Sequence, residues 1–115
     1  MRAGRLRHRV KIEKPREVRP GGGKVELKFR ELFETWGEIN ILSGIERTNA
    51  AQVAAEATTK IRIRWRAGVD ATCRVRDVAT DTLYDILAPL PDYTGRRELV
   101  LLCVQRTAEG FRRGE

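Results

Sequence analysis

The sequence predicts a mainly β protein: a small antiparallel β-barrel of six to seven strands, with one short helix inserted between the second and third main strands. Three observations carry this reading. Residues 58–68, T-T-K-I-R-I-R-W-R-A-G, alternate Ile61, Ile63 and Trp65 with Arg62, Arg64 and Arg66, the period of a half-buried strand. Further runs of strand character recur along the chain, separated by Gly, Pro and Thr/Asp turn signals. One segment, after Ser43, has a helix-favouring composition instead.

The elements follow in order. Residues 6–13, L-R-H-R-V-K-I-E, place Leu6, His8, Val10 and Ile12 on one face and Arg7, Arg9, Lys11 and Glu13 on the other, a first strand with a basic outer side. His8 falls on the apolar side and is expected to pack there, because no second ligand or nucleophile accompanies it. Residues 15–24 contain two prolines and Gly21-Gly22-Gly23 and read as a mobile loop or hairpin tip. No G-K-[ST] follows the glycines, so they are not a phosphate loop. Residues 25–29 form a short strand or hairpin arm, and residues 33–42 a longer strand. In the latter, Gly37 suggests a bulge or tight bend.

Ser43-Gly44-Ile45-Glu46 is a capping box, and the alanine-rich run to Ala57 should be helical. Its only sizeable apolar side chains are Ile45 and Val53, so it is the element least tied to a core. The central strand comes next. Residues 73–78 make a fourth strand, residues 80–82 a turn, residues 83–88 a fifth strand. Pro89-Leu90-Pro91-Asp92 reads as non-strand, because proline lacks an amide donor. Residues 97–105 form a last strand, apolar on both faces and therefore covered on both. Val10, Ile39, Ile61, Ile63, Trp65, Ile86 and Leu101 are the expected core. Residues 1–5 and 107–115 read as flexible ends of a single domain spanning 1–115.

The 115 residues are 41% hydrophobic and 34% charged, which allows one modest core under an ionic surface. No run of 18 apolar residues is present, so no membrane span is expected. The net charge of +7 is unevenly placed. Residues 1–30 hold eleven Lys or Arg against three Glu, whereas residues 31–115 hold twelve basic against thirteen acidic. A basic N-terminal arm suggests a phosphate-bearing or acidic partner.

Enzymatic motifs are missing. There is one histidine, one serine that already has a capping role, and no H-x-x-x-H, C-x-x-C or G-x-S-x-G. Cys73 and Cys103 form no metal cluster with His8 and read as two buried thiols. No catalytic residue, cofactor or metal is expected.

Several pieces in order resemble the phage head–tail adaptor family, also called head-closure or stopper proteins. They are A-G-R-L-R-H-R-V-K-I-E-K-P (3–15), the glycines after it, T-W-G-E-I-N-I-L-S-G (35–44), T-K-I-R-I-R-W-R-A-G (59–68), Y-D-I (84–86) and R-R-E-L-V-L-L-C (96–103). Thr80-Asp81-Thr82 stands where a glycine-containing turn is expected. The resemblance implies a structural protein of the virion's head–tail connector, in the host cytoplasm before assembly. It implies a monomer when free and a homo-oligomeric ring, taken as dodecameric, below the portal. Portal or adaptor ring proteins, tail proteins and the packaged double-stranded DNA would be its partners.

Some members of that family close the channel with the segment between the second and third main strands. Here that is residues 42–58, with Leu42, Ile45, Glu46, Asn49, Val53 and Glu56 as candidate gating residues. Arg2, Arg5, Arg7, Arg62, Arg64 and Arg66 are the candidates for docking on the portal or a neighbour. The alternative is an OB-like barrel that binds nucleic acid through its basic face.

Overall fold

The alternation expected from residue 58 to 68 does form a strand of a barrel, over Thr59–Arg64. The structure, a computed structural model, describes residues 6–19, 21, 23, 25–91 and 97–106. Its elements are β1 (His8–Val18), β2 (Glu26–Ile41), α1 (Gly44–Ala50), β3 (Thr59–Arg64), β4 (Arg74–Asp77), β5 (Thr82–Pro91) and β6 (Glu98–Arg106). The strands close a barrel in the order β1-β2-β3-β6-β5-β4, every neighbouring pair antiparallel. The barrel, its strand number and the single helix between β2 and β3 are as the sequence predicts. The ends 1–5 and 107–115 lie outside the described residues.

Alternation fills the barrel from every strand. Val10 and Ile12, Ile61 and Ile63, Val75, Leu101 and Cys103 are fully buried, with Phe33, Cys73, Tyr84, Ile86 and Leu99 completing the core. Each large aliphatic side chain so buried stabilises by about 1.5–3 kcal/mol. Ile39 and Trp65 pack on this core only partly buried. β3 ends at Arg64, and Trp65 covers the rim, tied by its N–H to the Arg97 carbonyl at 3.0 Å.

Four expectations need correction. Residues 15–18 and 25–29 are not a loop and a separate strand. β1 runs through Pro15 to Val18, and β2 is one strand of 16 residues, so the two pair out to Val18 opposite Glu26. Pro15 is tolerated because β1 has a hydrogen-bonded neighbour on one side only there; β4 pairs with β1 no further than Glu13. This leaves a two-stranded ribbon projecting past the barrel. The bulge expected at Gly37 lies instead at Leu32, which is skipped between the pairs Ile12–Phe33 and Glu13–Glu31. Gly37 answers a different need, the close approach of β1 and β3 to β2: a Cβ there would lie 3.1 Å from Ile63 Cγ2.

Pro89 and Pro91 lie within β5, paired with Leu101 and Leu99 of β6. β4 pairs with β5 only over Thr82–Asp85, so the prolines occupy a stretch with one open side, where a missing donor breaks no ladder. Finally, α1 ends at Ala50, and residues 51–57 continue as turns rather than helix.

The turn after β4 shows how the expected glycine is replaced. Asp81 adopts φ 60°, the left-handed region that Asp tolerates better than most side chains. Its amide donates to the Asp77 carbonyl at 2.7 Å, and its carboxylate pairs with Arg76.

Candidate assembly surfaces

The 42–58 excursion is built from its base upward. At the base, the Leu42 N–H donates to the Thr58 carbonyl and the Thr58 N–H to the Cys103 carbonyl, each at 2.9 Å. The chain thus leaves and re-enters the barrel at one point. Ser43 caps α1: its hydroxyl accepts from the Glu46 N–H, and the Glu46 carboxylate accepts from the Ser43 N–H at 3.1 Å. Glu46 also pairs with Lys60 of β3 at 3.1 Å. The hydrogen bond from the Ser43 amide, with help from Lys60, holds the Glu46 carboxyl below the usual carboxylate range.

Small side chains make the underside. Leu42, Ala54 and Ala57 are buried against Leu102, with Ala50, Leu87 and Ala88 around them. Leu102 points outward from β6 while Leu101 and Cys103 point in. This cluster explains why β6 is apolar on both faces. Ile45 and Val53, the larger side chains, do not anchor the segment: they are 79% and 62% exposed. Ile41, the last residue of β2, is 84% exposed beside them in sequence. Asn49 and Glu56 are also exposed.

Arg62, Arg64 and Arg66, in β3 and just past its end, do not form one uniform basic face. Arg62 lies between carboxylates, Nη1 3.8 Å from Glu38 and Nε 3.3 Å from Glu98. Arg66 stacks over the Phe33 ring at 4.2 Å. Arg64 is exposed and lines a groove of about 340 Å³ with Leu6, Thr35 and the half-exposed Trp36. Arg7 is exposed; Arg2 and Arg5 lie outside the described residues. The nucleic-acid reading through this strand therefore loses Arg62 to its own sheet.

A clamp that alternation alone did not reveal joins the ribbon to the barrel. Glu13, almost fully buried, accepts from Arg74 Nε at 2.6 Å and from Arg76 Nε at 3.0 Å. Arg74 also lies 3.8 Å over the Phe29 ring. Burial opposes ionisation of Glu13, but the hydrogen bonds and charges of Arg76 and Arg74 outweigh it and lower its pKa. Nearby, hydrogen bonds from the Thr72 hydroxyl and amide bring Asp70 down to about 2.

Cys73 and Cys103 are both buried free thiols, as expected, and burial pushes both pKa values up. His8 is half-buried and lines a polar depression with Arg7, Glu38, Ile39 and Asn40. Among the described residues, no three His, Cys, Asp or Glu side chains are grouped to hold a metal ion, and no helix is long and apolar enough to cross a membrane.

A family model described as phage head completion protein matches residues 1–106. The solution structure of protein SF1141 from Shigella flexneri 2a is similar at a TM-score of 0.77 and 27% identity, over 94% of this chain and 99% of that one. A chain from the virion of a native gene transfer agent particle is similar in fold, with a TM-score of 0.59 and 24% identity, over 86% of this chain and 93% of that one. No curated protein matches the chain.

Proposed function

The chain belongs to the phage head completion protein family, a family of structural virion proteins, and from that premise we propose that it forms a ring below the portal, closes the DNA-filled head and offers the tail a docking surface. The structural role in the virion follows from the family. The ring, its place and its gate are our reading.

The 42–58 excursion carries that reading. Its base is pinned at one point of the barrel, its underside is held by Leu42 and two alanines, and its larger apolar side chains face solvent. Such a segment can leave the barrel wall for a few kcal/mol and gain new contacts elsewhere. In a ring, copies of Ile45 and Val53 meet near the axis, where the small side chains of the alanine-rich run let backbones approach closely. Leu42 stays with the barrel as the hinge; Glu46, Asn49 and Glu56 supply the polar edge of the gate. Arg2, Arg5, Arg7, Arg64 and Arg66 remain the candidates for docking on the portal or a neighbouring copy, and Arg62 is the weakest of the original six. No chemistry is assigned to the protein.

Electron microscopy of the protein mixed with its portal tests this. The expected result is a ring of copies on the portal with density from the 42–58 excursions at the axis. No association with the portal under conditions where DNA-filled heads are stable would overturn the connector reading. A ring with an open axis would overturn the gate alone.

A further inference from the structure

Beyond the barrel, the β1–β2 ribbon has two unlike faces. Directly opposed residues of an antiparallel pair share a face. The register sets Lys14 against Arg30 and Arg16 against Lys28, so four cations occupy one face in two opposed like-charge pairs. The other face carries Pro15 against Phe29 and Glu17 against Leu27. Like charges placed directly opposite each other destabilise a sheet, and a two-stranded ribbon has little stability to lose. Lys14 reaches Asp70 at 3.5 Å, but among the described residues Arg16, Lys28 and Arg30 have no ion-pair partner. Glu26, opposite Val18, is the one carboxylate on this face of the paired ribbon.

We infer that this face binds the phosphate backbone of duplex nucleic acid. A second copy of the chain is a poor match for it. Of the thirteen described carboxylates, nine are already in ion pairs. The four others are Glu17 and Glu26 of the ribbon itself, buried Asp77, and Glu56. Among the described residues, the chain therefore offers too few unpaired carboxylates to match the four cations of another copy. Adjacent cations lie about 7 Å apart along each strand and about 5 Å across the pair. That density suits a duplex, which carries one charge per roughly 1.7 Å of axis. A two-stranded β-ribbon is also narrow enough to enter a major groove. The basic face holds no aromatic side chain on which an unpaired base could stack, so it favours the duplex backbone over single strands and reads no sequence. The inference stands on the ribbon and does not depend on the ring or the gate.

The test is a salt titration of the purified full-length chain with a mixed-sequence DNA duplex, read by fluorescence anisotropy. Neutralising three of the four cations by Arg16→Gln, Lys28→Gln and Arg30→Gln should make the slope of log affinity against log salt shallower by about 3. Affinity at low salt should fall with it. The ribbon should persist, because repulsion is relieved; amide exchange of residues 26–31 checks that. Arg47→Gln, on α1 beyond the opposite end of β2, should leave the slope unchanged. Absence of duplex binding by the wild type at low salt, or an unchanged slope in the triple variant, overturns the inference. Tighter binding of poly-glutamate than of duplex, lost in the same variant, overturns it in favour of an acidic protein surface.

Discussion

Arg62 stands directly across the β2–β3 ladder from Glu38, and its guanidinium also lies 3.3 Å from Glu98 of β6. One cation thus bridges three strands, with the Arg62 side chain 22% exposed. Arg62→Glu would gather three carboxylates at one point of the sheet. We expect a loss of roughly 1–3 kcal/mol in urea denaturation, since the change leaves partly buried charges unpaired. Arg64→Glu, on an exposed side chain, should stay within about 0.5 kcal/mol. Reversing Arg62, Arg64 and Arg66 at once is therefore not neutral for the fold, and docking must be tested at Arg64 and Arg66 alone.

Glu13 gives the barrel a pH dependence of known sign. Its pKa is lowered on folding from 4.5 by Arg76 and Arg74 against the opposing effect of burial. A depressed carboxylate contributes stability that is present above the unfolded value and is lost as pH falls through the folded one. Stability measured by urea midpoint should therefore fall on acidification below about pH 4.5. Glu13→Gln should lower stability at pH 7 by roughly 1–3 kcal/mol, by removing the charged acceptor of two guanidinium groups. It should also flatten the acid limb. An acid limb as steep in Glu13→Gln as in the wild type would show that other carboxylates dominate.

Gly37 and Gly44 should respond oppositely to alanine. At Gly37 the new Cβ would lie 3.1 Å from Ile63 Cγ2 and 3.3 Å from the Arg62 carbonyl, a backbone atom that cannot swing aside. Overpacking of this kind destabilises by roughly 1–3 kcal/mol. At Gly44 nothing lies within 4 Å and the residue opens α1, so alanine should stabilise by about 0.4–1 kcal/mol through the unfolded chain. Paired thermal melts of the two variants check both signs.

These residues also show what the sequence made legible. Alternation gave the barrel and the buried Val10, Ile61, Ile63, Ile86 and Leu101, because a period of two depends only on neighbours in the chain. The capping box was legible for the same reason. The length of β1 and β5 was not. Proline is excluded only where a strand is paired on both sides, and the open sides at Pro15, Pro89 and Pro91 arise from the shortness of β4, a property of the whole sheet. The same applies to the partners of Arg62 and Glu13, which are set by cross-strand register. The opposed cations of the ribbon appear only once Lys14 is known to face Arg30. In the excursion, Ile45 and Val53 are the only sizeable apolar side chains the sequence offers, yet small alanines fit under the segment against Leu102 and the larger side chains face out.

That inversion shapes the last prediction, the removal of the excursion. Leu42 and Thr58 are held together by a hydrogen bond of 2.9 Å, and Thr58 is held to Cys103 by another. Both bonds survive if residues 46–56 are replaced by a short glycine bridge. The deletion takes away Ala54 and the Glu46–Lys60 pair, and it uncovers part of Leu102, none of which belongs to the barrel interior. The barrel should therefore remain folded, with a loss of about 1–3 kcal/mol in denaturant melts. Docking on the portal should persist, because the β3 arginines and the N-terminal arm are untouched. Particles assembled with the deletion variant should lose DNA to added nuclease faster than wild type. A milder variant separates gate from scaffold: Ile45→Ser with Val53→Ser removes only exposed apolar surface, so the free protein should be as stable as wild type within about 0.5 kcal/mol. If copies meet through these side chains, its particles should leak as well. Particles of either variant that retain their DNA as wild type does would make the excursion a passive connection and put the closure in another protein.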